Sequence, residues 1–294
     1  MFTVSGLQLW QWQREAKRST RSTDISSDEV DWLLQEFAGL DRLSLRLESF
    51  RSQPAIQLKI PFEQLQQLWQ RRLEELIPIQ YLAGKTPWRN FELEVSPAVL
   101  IPRPETELLI DLAIAQVNQT PAIQTGHWAD LGTGSGAIAI ALSKTFPDAI
   151  VHAVDQSESA LAVARSNADQ LRAPIQFYRG SWFEPLAHLK GNLAAMVSNP
   201  PYIPTQTVEE LQPEVRLHEP RSALDGGIDG LDCIRQLVET APDYLQPNGV
   251  WIVEMMSGQA AAVVDLLESQ GSYTQIEIHS DLSGIERFAV ARRQ

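Results

Sequence analysis

Asn199 carries a side-chain amide oxygen able to accept a hydrogen bond, and it ends an apolar run, Leu193 to Val197, as part of Ser198-Asn199-Pro200-Pro201-Tyr202. Two prolines fix their own φ and remove two backbone donors, so the carbonyls around them are held outward as acceptors. Tyr202 adds a flat ring as one wall. Aimed acceptors beside an aromatic wall suit a planar NH2 group, either a carboxamide or the exocyclic amine of a base. Taken alone, the same residues also describe a Pro-Pro turn after a strand.

A second group lies upstream, in Asp130-Leu131-Gly132-Thr133-Gly134-Ser135-Gly136. Glycines at a strand-to-helix turn let the backbone approach a ligand, and the helix N-terminus that follows offers free N–H groups to an anion. Asp155 stands twenty-three residues after Gly132, at the end of the next predicted strand, where a carboxylate can take two ribose hydroxyls. The third glycine follows the second by two residues rather than the three of the dinucleotide fingerprint, and Asp130 would repel a pyrophosphate. A zwitterionic methionyl tail tolerates that carboxylate, so the motif favours S-adenosylmethionine over NAD. Gly180-Ser181-Trp182, after the third predicted strand, is placed to wall an adenine; Trp182 is otherwise a core side chain. Ile101-Pro102-Arg103-Pro104-Glu105-Thr106-Glu107 reads as a helix start with an acidic first turn, leaving room for ligand contacts by Arg103, Glu105 or Thr106.

The elements that must position these residues form an alternation. Strands are expected at 127 to 131, 150 to 155, 175 to 180, 193 to 198 and 249 to 255. Helices are expected to about 146, to about 171 and near 229 to 245, giving a doubly wound α/β sheet that binds ligands at the carboxyl ends of its strands. Tyr273 to His279 and Arg287 to Ala291 are close enough for an antiparallel edge hairpin, which separates methyltransferase-like folds from most dehydrogenases. Residues 1 to 84 read as short amphipathic helices without a catalytic constellation. One helix opens with Leu7, Leu9, Trp10 and Trp12, and the next, with an N-cap offered by Ser26, Ser27 and Asp28, carries Val30, Leu33, Leu34 and Phe37 and stops at Gly39. A third takes Leu43 to Phe50, and a fourth follows Pro61. Residues 85 to 102 are expected to form a β-hairpin linker, Phe91 to Val95 turning at Ser96-Pro97 into Val99 to Ile101, before a catalytic domain from 103 to 294. The segment from Ile203 to Gly227 has few signals of its own and suits a lid.

Composition narrows the function. A chain of 294 residues with 44% hydrophobic content can bury a sizeable core, and a net charge of −13 argues against a protein that chiefly grips a phosphate backbone. Cys233 is the only cysteine and the five histidines lack ligand spacing, so neither a disulfide framework nor a metal site is expected. No signal-peptide core or membrane-length apolar run is present, and a cytoplasmic protein is expected.

These motifs, with Glu219-Pro220-Arg221-Ser222-Ala223-Leu224, Gly226-Gly227 and Asp229-Gly230-Leu231-Asp232, resemble the HemK family, the release-factor glutamine methyltransferases, from about residue 80 to 294. The resemblance implies a class I S-adenosylmethionine-dependent methyltransferase domain, Rossmann-like with a mostly parallel sheet, behind a small helical bundle. It further implies methylation of the side-chain amide nitrogen of the glutamine in the Gly-Gly-Gln loop of peptide-chain release factors; a monomer is expected. Gly132 to Gly136, Asp155, Trp182 and Asn199 would then contact S-adenosylmethionine, while Asn199, Pro200, Pro201 and Tyr202 would hold the glutamine. Two departures stand out: Glu254-Met255-Met256 where family members usually read Glu-Ile-Gly, and His218 in place of an aromatic. A ribosomal-protein glutamine methyltransferase and an adenine N(6) methyltransferase acting on nucleic acid use related grips and remain the alternatives.

Overall fold

The computed structural model describes residues 2–294, and the chain divides into two compact units, Met1–Gly84 and Lys85–Gln294. In the first, β1 (Phe2–Val4) precedes α1 (Gly6–Ser19), α2 (Asp28–Ala38) and α3 (Arg42–Leu47). Then follow β2 (Ile56–Leu58), α4 (Phe62–Glu75) and α5 (Ile79–Ala83). Leu9, Trp12 and Ala16 of α1 and Val30, Leu33, Leu34 and Phe37 of α2 recur at helical spacing and are buried, as the periodicity requires. Gly39 ends α2 in the left-handed conformation that glycine adopts at least cost. The antiparallel pairing of β1 with β2 is absent from the sequence reading, because strands of three residues are too short to show a period of two.

The second unit opens with an antiparallel ribbon of β3 (Lys85–Trp88) and β4 (Phe91–Glu94), then α6 (Leu108–Gln119). This corrects the expected hairpin. The turn falls at Arg89-Asn90, with Arg89 at φ 49, and Val99 to Ile101 forms no strand. Pro87 sits within β3, and a two-stranded ribbon leaves free the edge on which proline is tolerated. The main sheet follows, with β5 (His127–Leu131), α7 (Ala137–Thr145), β6 (Ile150–Asp155), α8 (Glu158–Leu171), β7 (Gln176–Arg179) and β8 (Leu193–Ser198). Short helices α9 (Thr205–Val208) and α10 (Pro213–His218) lead to α11 (Asp232–Thr240), β9 (Leu245–Glu254), α12 (Ala260–Gln270), β10 (Tyr273–Ser280) and β11 (Glu286–Arg293). The helix expected near 229 to 245 is thus shorter, and β9 begins at Leu245 rather than 249.

Seven strands lie in the order β10-β11-β9-β8-β5-β6-β7, parallel from β9 to β7, with β11 antiparallel to both its neighbours. The chain moves outward from β5 to β7 and returns to β8 on the other side of β5, so the strand order reverses between β5 and β8. Ligand crevices of doubly wound sheets open at such a switch. Strands buried on both faces read as continuous apolar runs. In β9, Val250 and Ile252 enter the core on the α6 and α7 face, while Trp251 and Val253 enter the opposite one against α11 and α12. Each such side chain contributes roughly 1.5–3 kcal/mol of burial, which holds the strand ends in place.

Candidate functional site

A cavity of about 430 Å³ opens at the carboxyl ends of the parallel strands, a volume within the roughly 300–1,000 Å³ of small-molecule sites. Gly132 and Gly134 reach it from the end of β5, Asp155 from β6, Ser181 and Trp182 from beyond β7, and Asn199 and Pro201 from β8. A larger cleft of about 980 Å³ lies wholly in the first unit among charged side chains of both signs, including Arg14, Arg46, Glu29 and Asp31. It holds none of the glycine, ribose-type carboxylate or amide chemistry.

The glycine turn is held from two sides. Gly132 and Thr133 donate their N–H groups to the Val154 carbonyl (2.9 and 3.0 Å), and the Gly134 N–H donates to Asp155 Oδ2 (2.9 Å). Gly132 has φ +79 and Gly134 φ +54, conformations that side chains resist, and a Cβ on Gly132 would stand 3.5 Å from the Trp182 ring. Trp182 itself takes φ 47, a strained position for an aromatic residue that keeps its ring beside the turn.

Asp130 is fully buried. Its Oδ2 accepts from Thr133 Oγ1 (2.6 Å) and the Ala139 N–H (3.0 Å), while Oδ1 has no partner among the described residues. Burial pushes its carboxyl up to about 7, against the pull of those two hydrogen bonds. Asp155 is also raised by burial, opposed by backbone N–H bonds from Ser157 and Gly134. Thr133, Ser135 and Gly136 do not line the cavity. Thr133 and Ser135 are buried, the Ser135 carbonyl accepts from Asn167 Nδ2 (2.9 Å), and Gly136 lets the start of α7 pass α8, since a Cβ there would meet Ala164 at 3.2 Å.

At the other end of the cavity, Ser198 Oγ donates to the Leu131 carbonyl (2.6 Å), tying the end of β8 to that of β5. Asn199 Nδ2 donates to Thr106 Oγ1 (3.0 Å), Thr106 Oγ1 donates to Glu254 Oε2 (2.7 Å), and the Tyr202 hydroxyl donates to Glu254 Oε1 (3.0 Å). Asn199 Oδ1 and the Pro200 carbonyl take no donor among the described residues. Pro200 is buried and Tyr202 half-buried, so within the tetrapeptide Asn199 and Pro201 are the residues that face the cavity.

The predicted site residues of 101 to 107 separate. Arg103 donates to Glu219 Oε1 (2.5 Å), whose carboxyl burial pushes up and Arg103 pulls down; Thr106 joins Asn199; Glu105 is exposed. The expected lid has more structure than the sequence suggested. Ile203 pairs in parallel with Asp225, and a Cβ on Gly226 would lie 2.7 Å from the Pro201 carbonyl and 2.8 Å from Tyr202 Cα. Gln259 Nε2 donates to the Tyr202 carbonyl (3.0 Å), a contact that sequence reasoning missed.

A family model for the methyltransferase small domain matches residues 106–227. The release factor glutamine methyltransferase of Synechocystis sp. is 51% identical over 98% of this chain and 97% of its own length, and that of Thermosynechococcus vestitus is 48% identical over 98% and 99%. This chain belongs to the release factor glutamine methyltransferase family. Among solved structures, the hMettl16 catalytic domain in complex with MAT2A 3′UTR hairpin 6 superposes with a TM-score of 0.56 at 15% identity, covering 82% of this chain and 84% of its own. That likeness concerns the fold, a class I methyltransferase sheet with an antiparallel edge, as expected from the spacing of Tyr273 to Ala291.

Membership of the family makes Glu254-Met255-Met256 the departure to resolve. The strand end is intact: β9 runs through Glu254, Met255 is buried with its N–H donating to the Arg287 carbonyl (2.8 Å), and the Met256 N–H donates to Gln259 Oε1 (2.9 Å). Glu254 was named in the sequence only as part of that departure and not as a site residue, although, like Asp155, it is an acidic residue closing an apolar strand. Among the described residues no cluster of metal-binding type and no helix long and apolar enough to cross a membrane is present.

Proposed function

We propose that this methyltransferase transfers a methyl group from S-adenosylmethionine to the side-chain amide nitrogen of the glutamine in the Gly-Gly-Gln loop of peptide-chain release factors. The observation that carries the reading is the state of Asn199. Its NH2 is taken by Thr106, so it offers the cavity a carbonyl oxygen, the group that a primary carboxamide donor requires.

The residues present fit the methyl donor. The left-handed glycines open room for a ligand at the turn, the Asp155 carboxylate keeps further lone pairs for two ribose hydroxyls, and Trp182 offers an apolar wall for the base. Asp130 is buried and does not line the cavity, and its unpartnered Oδ1 is an acceptor suited to an ammonium through a bridging water. Bound there, S-adenosylmethionine supplies an electrophilic methyl group.

An amide nitrogen is a poor nucleophile because its lone pair is delocalised into the carbonyl. Asn199 Oδ1, facing the cavity, accepts one of its N–H bonds, orienting the nitrogen and stabilising the positive charge that grows on it as the methyl arrives, and the donor-free carbonyl of the adjoining Pro200 is the acceptor for the second although Pro200 itself does not line the cavity. Tyr202, its hydroxyl held by Glu254, sets a ring beside that corner. No strong general base is required, because the methylated nitrogen is far more acidic and releases its proton to water. The first unit closes its own core of Leu9, Val30, Leu33, Phe50 and Leu65, and carries no such chemistry. We assign it to recognition of the substrate protein.

Purified protein with labelled S-adenosylmethionine, offered release factor, ribosomal subunits and DNA in parallel, tests the reading. Label on the release factor glutamine is expected; label confined to ribosomal protein or nucleic acid would overturn it.

A further inference from the structure

Glu254 accepts one hydrogen bond from each side of the Asn199 corner: Thr106, from the turn before α6, on Oε2 at 2.7 Å, and Tyr202, from the loop after β8, on Oε1 at 3.0 Å. Glu254 is 1% exposed and Thr106 4%, and neither lines the cavity. A threonine hydroxyl has one proton. Given to the carboxylate, it leaves Thr106 only lone pairs, so the Asn199 atom 3.0 Å away must be the NH2. With Glu254 ionised, the chain of donors therefore has one direction, from Asn199 through Thr106 to Glu254.

We propose that Thr106 and Glu254 are positioning residues: the ionised Glu254 carboxylate, acting through the Thr106 hydroxyl, fixes which end of the Asn199 amide faces the substrate. This rests on the reading of Asn199 as the acceptor for the glutamine carboxamide. Protonated on Oε2, Glu254 would donate to Thr106 instead. The Thr106 proton would then face Asn199 and be satisfied by an amide turned through half a rotation. The cavity would be offered an NH2, which repels the N–H groups of a carboxamide. The ionised form also places a negative charge behind the acceptor, polarising Asn199 Oδ1 as positive charge develops on the substrate nitrogen.

Burial pushes the Glu254 carboxyl up to about 7, against the hydrogen bonds from Thr106 and Tyr202 and the positive charge of Arg287, with Glu105 adding to the rise. Tyr202 is held protonated, as the donor, by burial and by the Glu254 charge, against Arg287 and Arg103. The ionised relay is thus lost as pH falls through about 7, and turnover should fall with it.

The test compares Thr106→Val, which keeps the shape and removes the hydroxyl, with Thr106→Ser, which restores it, and with Glu254→Gln, whose amide can donate to Thr106. On a Gly-Gly-Gln peptide, kcat should fall about a hundredfold in Thr106→Val and Glu254→Gln and stay within about threefold of wild type in Thr106→Ser. S-adenosylmethionine affinity, by calorimetry, should change less than about threefold in all. The acid limb of the wild-type kcat profile should persist in Thr106→Ser and disappear in Glu254→Gln. A readout independent of turnover is the exchange of the Asn199 side-chain amide protons by NMR, expected to be slowed in wild type and Thr106→Ser and fast in Thr106→Val. Wild-type kcat in Thr106→Val, failure of Thr106→Ser to rescue, or fast exchange in the wild-type protein would each overturn the relay. Wild type that leaves glutamine unmethylated while its Asn199 protons are slowed would instead defeat the functional reading and leave the relay standing.

Discussion

Asp155 and Asn199 bound the cavity at opposite ends of its chemistry, and single substitutions separate their roles. Asp155→Ala should weaken S-adenosylmethionine binding by roughly 1–3 kcal/mol, the scale for losing a charged hydrogen-bonding partner, and calorimetry showing unchanged affinity would remove the ribose from that position. Asn199→Ala should lower turnover by about a hundredfold or more, because it deletes an acceptor whose bond strengthens in the transition state. Some loss of cofactor affinity is expected too, since Asn199 shares the cavity with the glycine turn. Both residues were legible in the sequence as polar side chains closing apolar strands. The direction of the Asn199 amide was not, because it depends on Thr106 and Glu254, 93 and 148 residues apart from their respective partners Asn199 and Thr106. Asp130 was legible as part of the glycine motif but not as a buried brace of that turn, since burial is set by α7 folding over it.

The loop from Asn199 to Tyr202 is shaped by elements that follow it. Gly226 packs with no room for a side chain, a Cβ there meeting the carbonyls of Pro201 and Gly230 at 2.7 Å, all backbone that cannot rotate away. Gly226→Ala should therefore cost about 1–3 kcal/mol of stability from overpacking. It should also reduce kcat on the order of a hundredfold by displacing the acceptors by a fraction of an ångström to an ångström. Thermal denaturation and steady-state kinetics measure the two; unchanged kinetics would mean that the loop keeps its shape without this contact. The regular α/β elements were readable because each carries its own periodicity. The segment from Ile203 to Gly227 was not, because its short helices, α9 and α10, are four and six residues long and its order comes from the Ile203–Asp225 bridge and the Arg103–Glu219 ion pair. The hairpin was misplaced for a related reason: Phe91 to Val95 alternates clearly, but its partner strand contains Pro87, which hides it.

At the scale of the whole chain, each unit encloses its own apolar core, so a chain beginning at Lys85 should fold and keep S-adenosylmethionine affinity. It should lose most activity on intact release factor while changing little on a short Gly-Gly-Gln peptide, because a glutamine on a loop offers too little surface for discrimination. Equal proportional losses on both substrates, measured well below its melting temperature, would refute a docking role for residues 1–84. The acidic net charge of −13 fits a protein substrate better than a phosphate backbone. The most direct measurement is mass spectrometry of release factor treated with the wild-type protein and with Asn199→Ala in the presence of S-adenosylmethionine. One added methyl on the side-chain amide of the Gly-Gly-Gln glutamine is expected with wild type, and about a hundredfold slower appearance with Asn199→Ala. An unmodified glutamine with wild type, or equal rates with both proteins, would contradict it.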